Sequence, residues 1–180
     1  MDNALIELKN NEEIYKSTLM ENLVRIAKTI SVFDQMNLSS SIKNDMNHVQ
    51  GAYQDEFSDL YVKGFIMRIN EVRQKTVTYT DDVIDKNSYC DAIDLLIHQE
   101  ELNRQEEEGE NEKFRDVYTI ISLYTTFVID EPIHPVGSPF PGHQQVEYIN
   151  GIYYCPVKKN NEDNPRAVCK FCVAEQTIDS

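Results

Sequence analysis

Cys169 and Cys172 stand three apart in Cys169-Lys170-Phe171-Cys172, and Cys155 lies upstream, directly before Pro156. On one helical turn or a tight knuckle, side chains three apart point the same way. A hairpin and loop that fold back bring Cys155 onto that pair. Three thiolates with one imidazole, or with one more thiolate, make the closed tetrahedral set of a structural zinc site. The same three thiolates can hold an iron–sulfur cluster. Residues 132–180 contain three of the four cysteines and two of the four histidines, the densest set of soft metal ligands in the chain. His134, held between Pro132 and Pro135 on a stiff loop, is the first choice for the fourth ligand. His143, nearer to Cys155 in sequence, is the second, and Cys90, in an upstream helix, the third. Packed or redox thiols would show the same spacing, since buried free cysteine is common. A structural disulfide suits a cytosolic chain least.

Other constellations carry less. Asp45-x2-His48, and Asp91, Asp94 and His98, set carboxylate and imidazole at helical spacing. The paired glutamates and Glu-x2-His of a di-iron bundle are missing, so these read as surface groups. There is no glycine-rich phosphate loop and no Gly-x-Ser-x-Gly elbow. A thioredoxin-like Cys-x2-Cys would need a strand and a parallel sheet in front of it, where this chain reads as helix.

Composition bounds the partners. The 180 residues are 41% hydrophobic and carry a net charge of -14. That suits one globular domain with a sizeable core. A surface so acidic repels phosphate backbones, which argues against nucleic acid. Met1-Asp2-Asn3-Ala4-Leu5 has neither the basic nor the apolar region of a signal peptide, and no apolar run approaches the roughly 20 residues of a membrane span. The expectation is a cytosolic protein without a membrane or nucleic-acid partner. Its partner, a protein or a small molecule, is not specified by the sequence.

The elements that must position the cysteines follow from periodicity. Ile14, Leu19, Leu23, Ile26, Ala27 and Ile30 predict a helix over residues 12–33, with a short helix before it at residues 5–8. Leu38-Ser39-Ser40-Ser41 predicts a break, with a serine capping a long helix over residues 42–75 that contains Gly51 and Gly64. These glycines mark a bend or a close crossing if they are more than tolerated. Residues 76–80 read as an extended connection. Asp85 or Asn87 caps a helix that runs out at Glu106-Glu107-Glu108-Gly109, and Val117, Ile120, Ile121, Tyr124, Phe127 and Val128 form the stripe of a buried helix over residues 114–130. That stripe is expected to pack on the helix carrying Tyr53 to Ile69.

Pro132 ends the helices, and the prolines and glycines after it exclude helix and central strand. Asn150-Gly151 between β-formers predicts a two-residue hairpin, with Tyr148 opposite Tyr153 and Cys155 on the face of Val146. Residues 158–163 read as a polar loop. Asn164-Pro165 reads as N-cap and first helical position of a short helix to about Gln176. The fold class is therefore mainly α: four or five helices over residues 1–131, with a small hairpin-plus-helix module over residues 132–180 packed on them.

At Pro132-Ile133-His134-Pro135-Val136-Gly137-Ser138-Pro139-Phe140-Pro141-Gly142, and again at Tyr153-Tyr154-Cys155-Pro156-Val157 and Cys169-Lys170-Phe171-Cys172, the chain resembles an uncharacterised family of archaeal proteins found mainly in methanogens. The resemblance covers most of the length, specifically in the tail and loosely in the helices. It implies an archaeal cytosolic protein and points to His134 rather than His143, which lies beyond the shared segment. It supplies no activity. Two functional readings remain: a binding or scaffold protein whose metal ties the tail to the bundle, and a redox or metal-dependent enzyme of anaerobic metabolism. A closed four-ligand site favours the first, and an open coordination position beside a pocket favours the second.

Overall fold

The computed structural model of the chain describes residues 1–45, 53–105, 112–140 and 142–177. Helices α1 (Asn3–Glu7), α2 (Lys16–Ala27), α3 (Val32–Asp45) and α4 (Tyr53–Gln74) form the first half, with a 3-10 turn at Leu8–Asn10. Helices α5 (Lys86–Gln105) and α6 (Glu112–Phe127) complete the bundle. Strand β1 (Ile14–Tyr15) pairs antiparallel with β2 (Val83–Ile84), tying the start of α2 to the entry of α5. The tail holds β3 (Pro139–Phe140), β4 (Gln144–Gln145), β5 (Glu147–Ile149), β6 (Ile152–Cys155), α7 (Lys158–Asn161) and β7 (Glu175–Gln176). The protein is mainly α. Among the described residues no helix is long and apolar enough to cross a membrane.

Helices α2, α4 and α6 pack on one another and enclose the core. Leu19, Leu23 and Ala27 of α2, Phe65, Ile69 and Val72 of α4, and Ile120, Ile121 and Tyr124 of α6 are all buried there. The stripe predicted for residues 114–130 is thus the buried face of α6, and it meets α4 as expected. Helix α5 covers α6, with Tyr89, Ala92, Ile93 and Leu96 turned inward and the Tyr89 hydroxyl donating to the Leu5 carbonyl at 2.8 Å.

The helix expected over residues 12–33 is instead three pieces. Ile14 and Tyr15 are strand, α2 stops at Ala27, and α3 starts at Val32. The signal that starts a new helix there is Ser31-x2-Asp34. The Ser31 hydroxyl accepts from the Asp34 N–H at 3.1 Å, and Asp34 accepts from the Ser31 N–H at 2.7 Å, a reciprocal capping box. The start of α2 is capped from far away: the Ser17 N–H donates to the Asp81 carboxylate at 2.8 Å, which no local pattern reveals. The break expected at Leu38-Ser39-Ser40-Ser41 does not occur, since α3 runs through it. Ser39 and Ser40 turn their hydroxyls back onto the carbonyls of Gln35 and Met36, at 2.8 and 3.1 Å, so they are satisfied inside the helix rather than capping one. Of the long helix expected over residues 42–75, residues 42–45 belong to α3 and residues 53–74 to α4; Gly51 and His48 lie outside the described residues, as does the helix end expected at Glu106 to Gly109. Asp85 does cap α5, accepting from the Ser88 N–H at 2.8 Å.

Gly64 has a positional reason. A Cβ there would sit 3.3 Å from Pro135 Cγ, so the glycine lets the proline loop lie directly on α4. Gly64→Val is expected to destabilise the fold by about 1–3 kcal/mol through overpacking, more than the few tenths that valine gains over glycine in helix propensity. Denaturant titration reads this directly, and an unchanged midpoint would show that the loop can lift off α4 freely.

Candidate functional site

The site is built from the end of α6 outward. Asp130 takes a left-handed conformation, φ 54°, which turns the chain out of α6. Buried Lys16 donates to the Val128 carbonyl at 3.2 Å and to the Asp130 carboxylate at 2.7 Å, a cation at a helix C-terminus. The next residue, Glu131, accepts from Arg68 of α4. Arg68 also donates to Glu71 at 2.8 Å, so one guanidinium pins the start of the tail to α4.

Beyond that clamp the proline loop follows α4. The His134 ring stacks on Tyr61, with centroids 5.4 Å apart, and meets the edge of Phe140 at 5.6 Å. Burial lowers the His134 pKa to about 4, so its imidazole is neutral at pH 7 and keeps a nitrogen lone pair. Pro135 to Ser138 form a turn closed by the Ser138 N–H donating to the Pro135 carbonyl at 3.0 Å, with Gly137 at φ 87° as its third residue requires. Pro139 and Phe140 then pair with Gln144 and Gln145, short enough for a proline to be tolerated as an edge strand. His143 sits at the tip of that hairpin at φ 61° and is exposed.

The second hairpin turns as its sequence predicts. Asn150 and Gly151 take φ 53° and 87°, and Tyr148 faces Tyr153 with ring centroids 4.5 Å apart. This register delivers Cys155 to a small buried cluster with Val146 and Ala174, against which Phe140, Tyr153 and Cys172 pack. The helix expected over residues 164–176 does not form. Asn164 does start a turn, accepting from the Arg166 N–H at 3.0 Å, and Cys172 bonds back to Val168 at 3.1 Å. Propensity alone does not forbid it, since only Val168, Phe171 and Val173 in this segment are β-branched or aromatic. Its end is claimed by the sheet instead: β7 pairs parallel to β6, with Cys155 opposite Gln176. Helix is found at Lys158–Asn161, where a polar loop is expected.

The result is a closed loop from Cys155 to Gln176. Gln176 locks it by donating to the Pro156 carbonyl at 3.0 Å and accepting from the Lys159 N–H at 2.7 Å. Inside, the Lys158 ammonium donates to the carbonyls of both Cys169 and Cys172, the latter at 2.9 Å. Nothing in the sequence singles out Lys158 for this role. Val168 enters the helical core, and Phe171 stacks on Phe127 with centroids 6.3 Å apart, so the cysteine loop is fastened to the bundle.

The three tail thiols lie near enough to act on one another. Burial pushes the Cys169 thiol up to about 11, with the neighbouring Cys172 and Cys155 adding to the rise. Burial also raises Cys155, opposed by the Val157 and Lys158 N–H groups at its sulfur and by the Lys158 charge. All three are free thiols. Cys90 is half-buried on α5 and is not among the groups that shift the tail thiols. Among the described residues, no three His, Cys, Asp or Glu side chains stand close enough to hold one metal ion. Cys155 and Cys172 pack in one cluster that Phe140 also touches, Cys169 is near enough for both to shift its thiol, and the His134 ring meets Phe140 edge-on. Of the weaker candidates, Asp94 is engaged by Lys9 at 2.5 Å and His98 is exposed.

The fold and site define a helical bundle clasped by a cysteine-bearing tail. Residues 15–177 match the family described as "Uncharacterized protein conserved in archaea (DUF2115)", and the chain belongs to this family. It is 33% identical over 162 residues to a UPF0305 protein of Methanothermobacter thermautotrophicus, covering 89% of this chain and 96% of the relative. A UPF0305 protein of Methanocaldococcus jannaschii is 28% identical over 157 residues, covering 87% of this chain and 93% of that one. A shorter match, 41% identical over 58 residues, is to a UPF0305 protein of Methanopyrus kandleri, covering 32% of this chain and 41% of the relative. No solved structure matches the chain.

Proposed function

We propose that the protein is a binding or scaffold protein whose C-terminal loop takes a soft divalent metal, zinc first. Cys155, Cys169 and Cys172 supply sulfur and His134 supplies nitrogen. The observation that carries this reading is the gathering of three free thiols within one sheet-locked loop, with backbone N–H groups of Val157 and Lys158 directed at the Cys155 sulfur. N–H groups at a sulfur are the outer-shell support a thiolate ligand needs. The donor chemistry also fits: three thiolates and a neutral imidazole around Zn²⁺ carry one net negative charge, and the Lys158 ammonium stands beside them. Binding requires the Cys-x2-Cys turn and the His134 loop to draw together. Bound metal would supply structural cross-linking of tail to bundle.

The enzymatic alternative, with the cysteines as iron–sulfur ligands or reactive thiols, has less support. Thiols held above their ordinary pKa are poor nucleophiles at neutral pH. The tail cysteines also line neither of the cavities of about 520 and about 540 Å³. The test is metal content. Protein prepared without oxygen is expected to carry stoichiometric zinc, and Cys172→Ser to lose it and to be cut faster by protease after Pro132. Metal-free wild-type protein, or a Cys172→Ser variant that keeps its metal, removes the metal reading. An iron-dependent absorption spectrum moves it to the cluster alternative.

A further inference from the structure

The cavity of about 520 Å³ lies on the bundle, where the end of α2, the later turns of α5 and the first turns of α6 meet. Its size is that of a pocket for a small organic ligand, for which about 300–1,000 Å³ is usual. Its apolar wall is made by Ile26, Leu96 and Phe114, the first two buried.

Two lining donors have no side-chain partner among the described residues. Gln99 is only 8% exposed, and its amide nitrogen is fully buried without a hydrogen-bond partner among the described residues. A buried unpaired amide is costly, of order 1–3 kcal/mol, and in native proteins it calls for an explanation. Arg115, half-buried on α6, lines the same cavity and makes no ion pair among the described residues. Three of the four lining carboxylates are already engaged, and the fourth, Glu112, is exposed and makes no ion pair with Arg115. Asp2 is held by Arg25 at 2.6 Å, Asp116 by Lys113 at 3.3 Å and Glu100 by Arg104 at 2.8 Å. In a chain of net charge -14, this is a place where cationic and amide donors face an apolar wall.

We infer that this cavity binds a small organic anion, with its carboxylate or phosphate on Arg115 and the Gln99 amide and its apolar body on Ile26, Leu96 and Phe114. The two anions share the same chemistry here: a planar guanidinium and an N–H donor grip either one. This site is separate from the cysteine loop and stands or falls without it.

Three probes test it by titration calorimetry on the full chain: benzoate and phenyl phosphate, which share an apolar ring, and inorganic phosphate, which lacks one. Saturable binding of benzoate or phenyl phosphate, tighter than inorganic phosphate, is expected, and the tighter of the two names the anion. Arg115→Gln and Gln99→Leu should each weaken it by about 10-fold or more, as loss of a hydrogen bond to a charged group does. Gln99→Leu carries its own control. It removes an unpaired buried amide, so the ligand-free variant should melt at the same temperature or higher while binding weakens. The inference is overturned if neither ring-bearing probe binds the wild-type protein at millimolar concentration. It is equally overturned if either substitution leaves affinity unchanged, or if inorganic phosphate alone binds as tightly as the ring-bearing probes.

Discussion

Phe127→Ala is expected to destabilise the protein by about 3–5 kcal/mol, the usual cost of emptying a core aromatic site. Phe127 closes the last turn of α6 and is 7% exposed. Its ring meets Tyr89 of α5 edge-on at 5.7 Å and Phe171 of the tail in a stack at 6.3 Å. The residue therefore joins bundle and cysteine loop, and its loss should do more than open a cavity. Phe171 loses the surface it rests on, so the tail should become protease-sensitive at denaturant concentrations where the bundle is still folded. Combining Phe127→Ala with Phe171→Ala in a double-mutant cycle should give a coupling of about 0.5–1.5 kcal/mol, as for other aromatic pairs. An unfolding free energy unchanged by Phe127→Ala would mean that the helix end is not packed as described. Full destabilisation without coupling to Phe171 would mean that the tail is held by Val168 and the Lys158 contacts instead.

The sequence is most legible where one local rule decides the outcome. Asn150-Gly151 admits a type I′ turn and little else, so the hairpin and its register follow from two residues. The apolar spacing of Val117 to Val128 likewise admits one buried face. Legibility fails where distant groups decide. The Asp81 carboxylate that caps α2 is 64 residues from the N–H it accepts. The Asn164-Pro165 start signal is real, yet β7 pairing with β6 overrides the helix it would open. The Ser31-x2-Asp34 box was present in the chain, but the run of apolar residues across Ile30 conceals it. For the candidate site, Cys155, Cys169 and Cys172 could be grouped from spacing and the hairpin alone. Lys158 between them, and the stacking of His134 on Tyr61, depend on how the tail lies on α4 and have no local signature.

Metal affinity should rise steeply with pH, and the slope reports which ligands are used. A cysteine binds zinc as thiolate, so each thiol that enters the site releases one proton and adds one power of ten in affinity per pH unit. Cys155 and Cys169 are held above the ordinary thiol range by burial, with Cys169 pushed up to about 11, so both are still protonated between pH 6 and 7.5. Those two alone give a slope of at least two, or roughly 100-fold per pH unit. His134 contributes nothing to that slope. Its pKa of about 4 leaves it neutral throughout the range, so no proton has to leave when its nitrogen binds. Zinc competition against a chelator of known proton affinity measures the slope directly. His134→Gln should then weaken binding by a constant factor while the slope stays the same, whereas Cys169→Ser should lower the slope by about one. A flat profile would place the metal on carboxylates, which are already ionised above pH 6 and have no proton to give up, and would take it away from the cysteine loop altogether.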